Sequence, residues 1–425
     1  MITATTTTRR TASRITTRAE TGPSGAERVE TTATELTASE LTLGPVGLDE
    51  FLAKSWDREP LRIPRKEPGR FDSILSRADV ERLLCETAIR SPAFRLVRDG
   101  VRLTEGDYST DIPWRPRSFS GVAEVDRVGE EFQQGATIVL QALHIVWHAA
   151  AVYCRNLEAA LGCAVQANAY LTPTASQGFG VHHDTHDVFV LQVAGSKRWR
   201  WYAPVQELPL NDQRWSSELH AAGEAVKDFV LEPGDTLYLP RGWPHEASTS
   251  DADSLHLTVG VHPPRRIDAL RSALDSCGDD VEFRRALGAD GRLPDHLLER
   301  LAAKLEPDEV ARRARRQFLS TRRPVLDSQL AYISSLDRLT VTDEIARRTT
   351  VIADLEIDPE VGITLTFEGR EIDFPWVART ALEAVYAADT PFRASDLPGP
   401  LDDVGRLVLI RRLVREGFLH PVRAR

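Results

Sequence analysis

Three side chains of this sequence have the types and spacing of a metal centre. His182 and Asp184 stand two apart in residues 178–201 (GFGVHHDTHDVFVLQVAGSKRWRW), just before a β-rich run at 188–193 and a turn at Gly195-Ser196. Residues two apart on a strand point the same way, so this imidazole and carboxylate can converge on one ion. Downstream, residues 232–245 (EPGDTLYLPRGWPH) place Gly234, Pro240, Gly242 and His245 in the order Gly-x5-Pro-x-Gly-x2-His. That pattern predicts a turn, a short buried strand and a second turn returning a histidine toward a barrel interior. Two neutral imidazoles and one carboxylate on one face of a divalent ion leave the other face open, the arrangement of non-haem Fe(II) oxygenases. The open positions leave room for a bidentate co-substrate and O2.

The surrounding residues resemble the JmjC ribosomal oxygenases. Asn168-Ala-Tyr-Leu-Thr-Pro173, Ser176-Gln-Gly-Phe179, His182-x-Asp184, Phe189-Val-Leu-Gln192, Gly195-x-Lys-Arg-Trp-Arg200 and the His245 motif carry the likeness. It is dense over residues 168–262, and shorter echoes extend it over most of the chain. The resemblance implies a 2-oxoglutarate-dependent Fe(II) protein hydroxylase acting on ribosomal proteins. It also implies a mainly β catalytic core, a double-stranded β-helix or cupin jelly roll of JmjC type with flanking helices. An α-helical domain and a C-terminal winged-helix-like α/β domain would follow. The expected boundaries are a tail at 1–38, the catalytic domain at 39–265, a helical domain at 266–345 that makes a homodimer, and the winged-helix-like unit at 346–425.

His183 and His186 are rivals for ligation. Strand alternation puts His183 on the face opposite His182, and His186 would duplicate the role of Asp184, so ligation is assigned to His182, Asp184 and His245. A buried co-substrate carboxylate needs a fixed cation, for which Lys197 and Arg198 are the candidates. The resemblance selects Lys197, with Tyr170 as hydroxyl donor and Asn168 beside it. Trp199 and Trp201 read as barrel core or wall. Of His256 and Thr258 on the last strand, expected to face opposite ways, one should line the pocket.

Lys197 with Asn168-x-Tyr170 looks closer to the histidine-hydroxylating branch of the family, the arginine-hydroxylating branch carrying arginine at that position. Thr185 departs from the acidic residue common there, and residues 139–144 (VLQALH) replace a more polar run. Three alternatives compete: methyl-lysine demethylation, which needs aromatic or carboxylate walls for a methylammonium group; tailoring of a peptide or natural product; and a non-catalytic cupin binding module. The intact triad and Lys197 count against the last.

The chain has 425 residues, 42% hydrophobic and 27% charged, ordinary for a globular protein of two or three domains. No apolar run approaches the roughly 18 to 20 residues that span a bilayer, so no membrane role is expected. A net charge of -10 argues against a general nucleic-acid binder and suits basic protein substrates. Cys85, Cys154, Cys163 and Cys277 form no CxxC pair and read as buried free thiols of a reducing, cytoplasmic compartment. The first 38 residues, rich in Thr, Arg, Ala and Glu, read as a disordered tail. Glu20, Glu27, Glu30 and Glu35 count against a transit peptide.

Periodicity predicts a helix near 48–56, an extended edge at 58–64, a helix over 78–89 and a hairpin around Asp99-Gly100. One long helix at 144–161 would set His144 and His148 a turn apart. An insertion at 204–227 carries Trp215 and His220. Four helices are expected at 267–277, 281–287, 294–305 and 307–319. The last unit should hold strands at 351–357 and 363–367, helices at 374–388 and 402–416, and a β-wing at 418–422. Asp402 and Asp403 beside the arginines of its second helix favour packing or protein contact over DNA.

Overall fold

Alternating and continuous apolar runs build the centre of the computed structural model, which describes residues 36–360 and 362–422. In chain order the strands are β1 (Leu61–Ile63), β2 (Phe94–Arg98), β3 (Val101–Arg102), β4 (Ser109–Trp114), β5 (Arg117–Ala123), β6 (Thr137–Leu140) and β7 (Ala164–Thr172). They continue as β8 (Phe179–His182), β9 (Asp187–Gly195), β10 (Lys197–Tyr202), β11 (Ala225–Leu231), β12 (Thr236–Leu239), β13 (His245–Ser248) and β14 (Ser254–His262). One sheet has the order β1-β12-β9-β14-β7-β6-β2-β3, and a second the order β11-β10-β13-β8. Together they form the cupin-type, mainly β core with flanking helices. The expected tail lies outside the described residues except for its last three, where Thr37 caps a helix beginning at Ala38.

β9 shows why two layers form. Val188 and Val190 pack with Trp199, Trp201, Leu231, Leu237 and Leu239. Phe189, Leu191 and Val193 point the other way, into the larger core with Phe51, Phe71, Tyr153 and Leu157. Both faces are therefore covered, and each such side chain contributes about 1.5–3 kcal/mol on burial. Register is set accordingly, since a one-residue slip would exchange the two faces.

The expected helix over 144–161 is two helices, Leu143–Val146 and His148–Leu161, broken at Trp147, whose φ of -125° and ψ of 115° are extended. The indole Nε1 of Trp147 donates to Ile74 O at 2.9 Å, a tertiary bond that holds the break. His144 and His148 are thus not one turn apart on a common helix. His144 Nδ1 instead accepts from Ala167 N at 3.3 Å. Residues 281–287 hold no helix; 281–284 form turns and an irregular stretch follows. There the Asp280 carboxylate accepts from Glu282 N at 3.0 Å, a local bond that competes with helix formation. The helices that do follow the barrel are Arg266–Asp275, Asp295–Lys304, Pro307–Ser320 and Gln329–Ser335, the last unforeseen.

The remaining strands are β15 (Glu344–Arg347), β16 (Ala353–Asp358), β17 (Gly362–Phe367), β18 (Arg370–Phe374), β19 (Phe392–Arg393) and β20 (Leu419–Pro421). They make two small sheets, β19-β15-β20 and β16-β17-β18, around helices Arg379–Ala387 and Asp403–Glu416. The expected helix at 374 starts only at Arg379, because Phe374 belongs to β18. The expected wing is a single strand, β20, paired with β15. Among the described residues no helix is long and apolar enough to cross a membrane. All four cysteines are free; Cys154, Cys163 and Cys277 are buried as expected, whereas Cys85 is exposed.

Candidate metal centre

The triad assembles through sheet pairing. His182 ends β8 and His245 begins β13, and the two are directly paired across the antiparallel ladder. Their ring centroids lie 4.5 Å apart. Asp184 reaches the same point from the loop after β8, not from a strand as the spacing implied. Its backbone is held there by Gly242, whose N–H donates to Asp184 O at 3.0 Å. Gly242 has a φ of +85°, and a Cβ there would stand 2.6 Å from Gln206 O, so the turn that returns His245 needs glycine. Behind that turn the buried Asp187 carboxylate accepts from Tyr238 OH at 2.8 Å and Arg241 N at 3.0 Å. The expected turn, buried strand and second turn are all present.

One ligand atom from each of His182, Asp184 and His245 lies within 4.8 Å of the others. The Nδ1 of His182 is 2.8 Å from Gly180 O, and that of His245 is 3.0 Å from Trp243 O. A carbonyl oxygen only accepts, so both Nδ1 atoms carry the proton and both Nε2 lone pairs stay available. His245 Nε2 is 3.9 Å from Asp184 Oδ2. Burial, and then the neighbouring His182, push the His245 pKa down to about 4, keeping its imidazole neutral. Burial opposes ionisation of Asp184, but the imidazoles of His182, His186 and His245 hold its carboxyl below the usual range. A neutral, neutral, anionic donor set of this kind fits a divalent ion.

The triad opens into a cavity of about 240 Å³, also lined by Arg95, Tyr170, Phe179, Val188, Val190, Lys197, Trp199, Ala247, His256 and Thr258. Lys197 is buried, with Nζ donating to Thr172 Oγ1 at 2.9 Å, and burial brings its pKa down to about 7. Tyr170 stacks on His256 at 5.0 Å, and burial together with Asp184 pushes its hydroxyl up to about 12. Burial, and the charge of Lys197, hold His256 well below the usual histidine range. His256 Nδ1 and Trp199 Nε1 are buried without a partner among the described residues. A buried cation and two orphaned polar atoms in one cavity suit a small acidic ligand.

Asn168 shares the β7 face of Tyr170 but stands outside the cavity lining, its amide oxygen accepting from Ala142 N at 2.9 Å. His256 and Thr258 both line the cavity, since positions two apart on a strand share a face; the expectation that only one does so is corrected. Trp199 lines the cavity and Trp201 packs behind it. His183 turns away from the triad, 3.2 Å from Gln213 O and ringed by Trp215 and His220 of the rim segment. His186 stacks on His262 at 4.7 Å. Arg95 was missed, because its strand lies 87 positions before His182 and only sheet pairing brings it to the cavity.

Residues 144–268 match the JmjC domain. The chain is 33% identical over 258 residues to the bifunctional lysine-specific demethylase and histidyl-hydroxylase NO66 of Drosophila persimilis, covering 58% of this chain and 36% of that protein. It is 33% identical over 265 residues to human ribosomal oxygenase 1, covering 59% of this chain and 39% of that protein. The chain thus spans well under half the length of these relatives. Among solved structures, the Escherichia coli ribosomal oxygenase YcfD in complex with cobalt and 2-oxoglutarate covers 88% of this chain and 97% of its own. Its TM-score is 0.51 at 20% identity, a likeness of fold. Domain match, relatives and fold agree: residues 144–268 carry a JmjC domain, and the chain is similar to the JmjC-domain ribosomal oxygenases.

Proposed function

We propose that this protein is an Fe(II)- and 2-oxoglutarate-dependent oxygenase that hydroxylates a side chain of a protein or peptide, most readily a histidyl residue of a ribosomal protein. The observation that carries this reading is the convergence of His182, Asp184 and His245, Nε2 atoms free, in a cavity that also holds buried Lys197. A ferrous ion held there supplies oxygen activation coupled to decarboxylation of 2-oxoglutarate, one oxygen atom going to succinate and the other to the substrate. The chain's own residues do the rest. Lys197 neutralises the far carboxylate of the co-substrate, and Tyr170 offers its hydroxyl beside it. Val188, Val190 and Trp199 exclude water. Asn168 shapes the strand that carries Tyr170 by capping the turn at Ala142.

The relatives named ribosomal oxygenase and histidyl-hydroxylase support a ribosomal target. Lysine demethylation is a second reading, favoured by the aromatic walls of Tyr170, Phe179 and Trp199. The purified protein with Fe(II), ascorbate and 2-oxoglutarate should form succinate, and His182→Ala or Asp184→Ala should abolish it; undiminished turnover in those variants would sink the assignment. Mass spectrometry of ribosomal proteins from cells with and without the gene identifies the target by the loss of one oxygen atom. Formaldehyde release would mark demethylation instead.

The same reading makes residues 266–345 a self-association surface, supported by Leu270, Leu274 and Leu298, which stay exposed on their helices. A monomer by light scattering would remove it. In the C-terminal unit, Arg411 bonds to the carbonyls of Asp337 and Leu339, and Arg412 pairs with Glu416. Arginines engaged in this way support packing rather than nucleic-acid contact. The free thiols suit a cytoplasmic setting.

A further inference from the structure

Arg95 stands in the wall of the cavity, and neither metal ligation nor co-substrate binding uses it. The register across the sheet runs Arg95, Val139, Tyr170, His256 on four neighbouring strands, which places all four on one face. The guanidinium carbon lies 5.7 Å from the centre of the Phe179 ring, and Phe179 packs edge-on against Tyr170 at 5.9 Å. That cation–π distance is close to the outer limit of about 6 Å, so packing alone accounts poorly for the side chain. The Arg95 side chain forms no ion pair and no hydrogen bond among the described residues. A guanidinium has five donors and no acceptor, and here none of them has a hydrogen-bond acceptor among the described residues.

Charge decides what such a group does. Among the described lining residues Asp184 is the single carboxylate, and apart from the histidines Lys197 and Arg95 are the two basic side chains. With a divalent ion, the aspartate, the lysine ammonium and a dianionic co-substrate in place, those charges cancel. Arg95 is then the uncompensated charge beside the space left for the substrate. Val139, between Arg95 and Tyr170 in the register, adds no polar group. We propose that Arg95 is a specificity-determining residue: it donates hydrogen bonds to a carbonyl or other acceptor of the substrate and repels a cationic target. The site then accepts a neutral side chain and rejects arginine and methyl-lysine. This rests on the oxygenase reading above and narrows it. An engaged acceptor attracts the right substrate while like charge excludes the wrong one, the two halves of specificity.

The test uses full-length protein loaded with Mn(II) and N-oxalylglycine, an unreactive 2-oxoglutarate analogue. The probes are four pools of acetylated peptides with random flanks and a fixed central His, Asn, Arg or dimethyl-lysine, with retention read by mass spectrometry. The wild type should retain the His and Asn pools over the cationic pools by about tenfold or more, since like charges at close range cost at least that factor. Arg95→Lys should keep the preference, Arg95→Gln should lose it, and Arg95→Glu should retain the cationic pools instead. The proposal is overturned if the wild type retains cationic pools equally, if the charge at position 95 changes nothing, or if no protein retains any pool. Succinate formation by the same preparations with Fe(II) and 2-oxoglutarate tests the oxygenase reading separately. Full turnover with unselective retention would remove only the role given to Arg95.

Discussion

Replacing Lys197 by Met removes a cation from the interior while nearly conserving the volume of its stem. The residue is 5% exposed, and burial lowers its pKa from 10.5 to about 7. At about 1.4 kcal/mol per pKa unit, carrying that charge costs the folded protein on the order of 5 kcal/mol. Folding disfavours the charged form, so the penalty is complete below pH 7 and fades as pH rises toward 10.5. Losing the bond to Thr172 costs about 1 kcal/mol. Thr172 Oγ1 still accepts from Thr137 Oγ1 at 3.2 Å. After allowance for relaxation around the buried ammonium, Lys197→Met should stabilise the ligand-free protein by roughly 3 kcal/mol in mildly acidic buffer. The gain should disappear near pH 10.5. The same variant should lose co-substrate binding, because a buried carboxylate would then lack its counter-charge. With Mn(II) and 2-oxoglutarate at about 100-fold over Kd, the wild type gains about 2.7 kcal/mol, and the variant should gain nothing. Urea unfolding followed by tryptophan fluorescence, at acidic and alkaline pH and with and without ligand, measures both effects. A variant less stable than the wild type in acid, or one that keeps the ligand-induced shift, would refute the reasoning.

Removing any one of His182, Asp184 or His245 as alanine should weaken Co(II) binding by more than about 100-fold, read from the visible absorption of the bound ion, with the far-ultraviolet spectrum unchanged. Gly195 has a φ of +60°, and a Cβ there would stand 1.9 Å from Asp253 O. Gly195→Ala should therefore cost more than about 2 kcal/mol in urea and displace the strand that carries Lys197. Glu368 is buried, neither carboxylate oxygen has a partner among the described residues, and burial raises its pKa from 4.5 to about 7. An acid with a raised folded pKa favours the protonated fold, so its contribution is complete below pH 4.5 and lost as pH rises through about 7. Glu368→Gln should accordingly be near neutral in acid and stabilising by on the order of 3 kcal/mol in mild alkali, as thermal melts across pH would show.

The spacing His182-x-Asp184, the Gly234-to-His245 pattern and the doubly apolar run of β9 are local facts, and they sufficed to mark a candidate metal triad on a β core. Turn chemistry is similarly local: Gly242 must be glycine because of its own φ and the carbonyl it faces. What the chain order could not express is which strands become neighbours. His182 faces His245 because β8 pairs with β13, and Asp184 joins them from a loop, so the strand parity that suggested the pair is not what delivers it. The break at Trp147 depends on a bond to Ile74, 73 positions away. Asn168 is spent on Ala142, and Arg95 reaches the cavity through two intervening ladders. Residue types and short spacings thus determined the chemistry this protein can hold. Only tertiary pairing decided which side chains share the cavity, because hydrogen-bonded register joins residues with no regard to their distance along the chain.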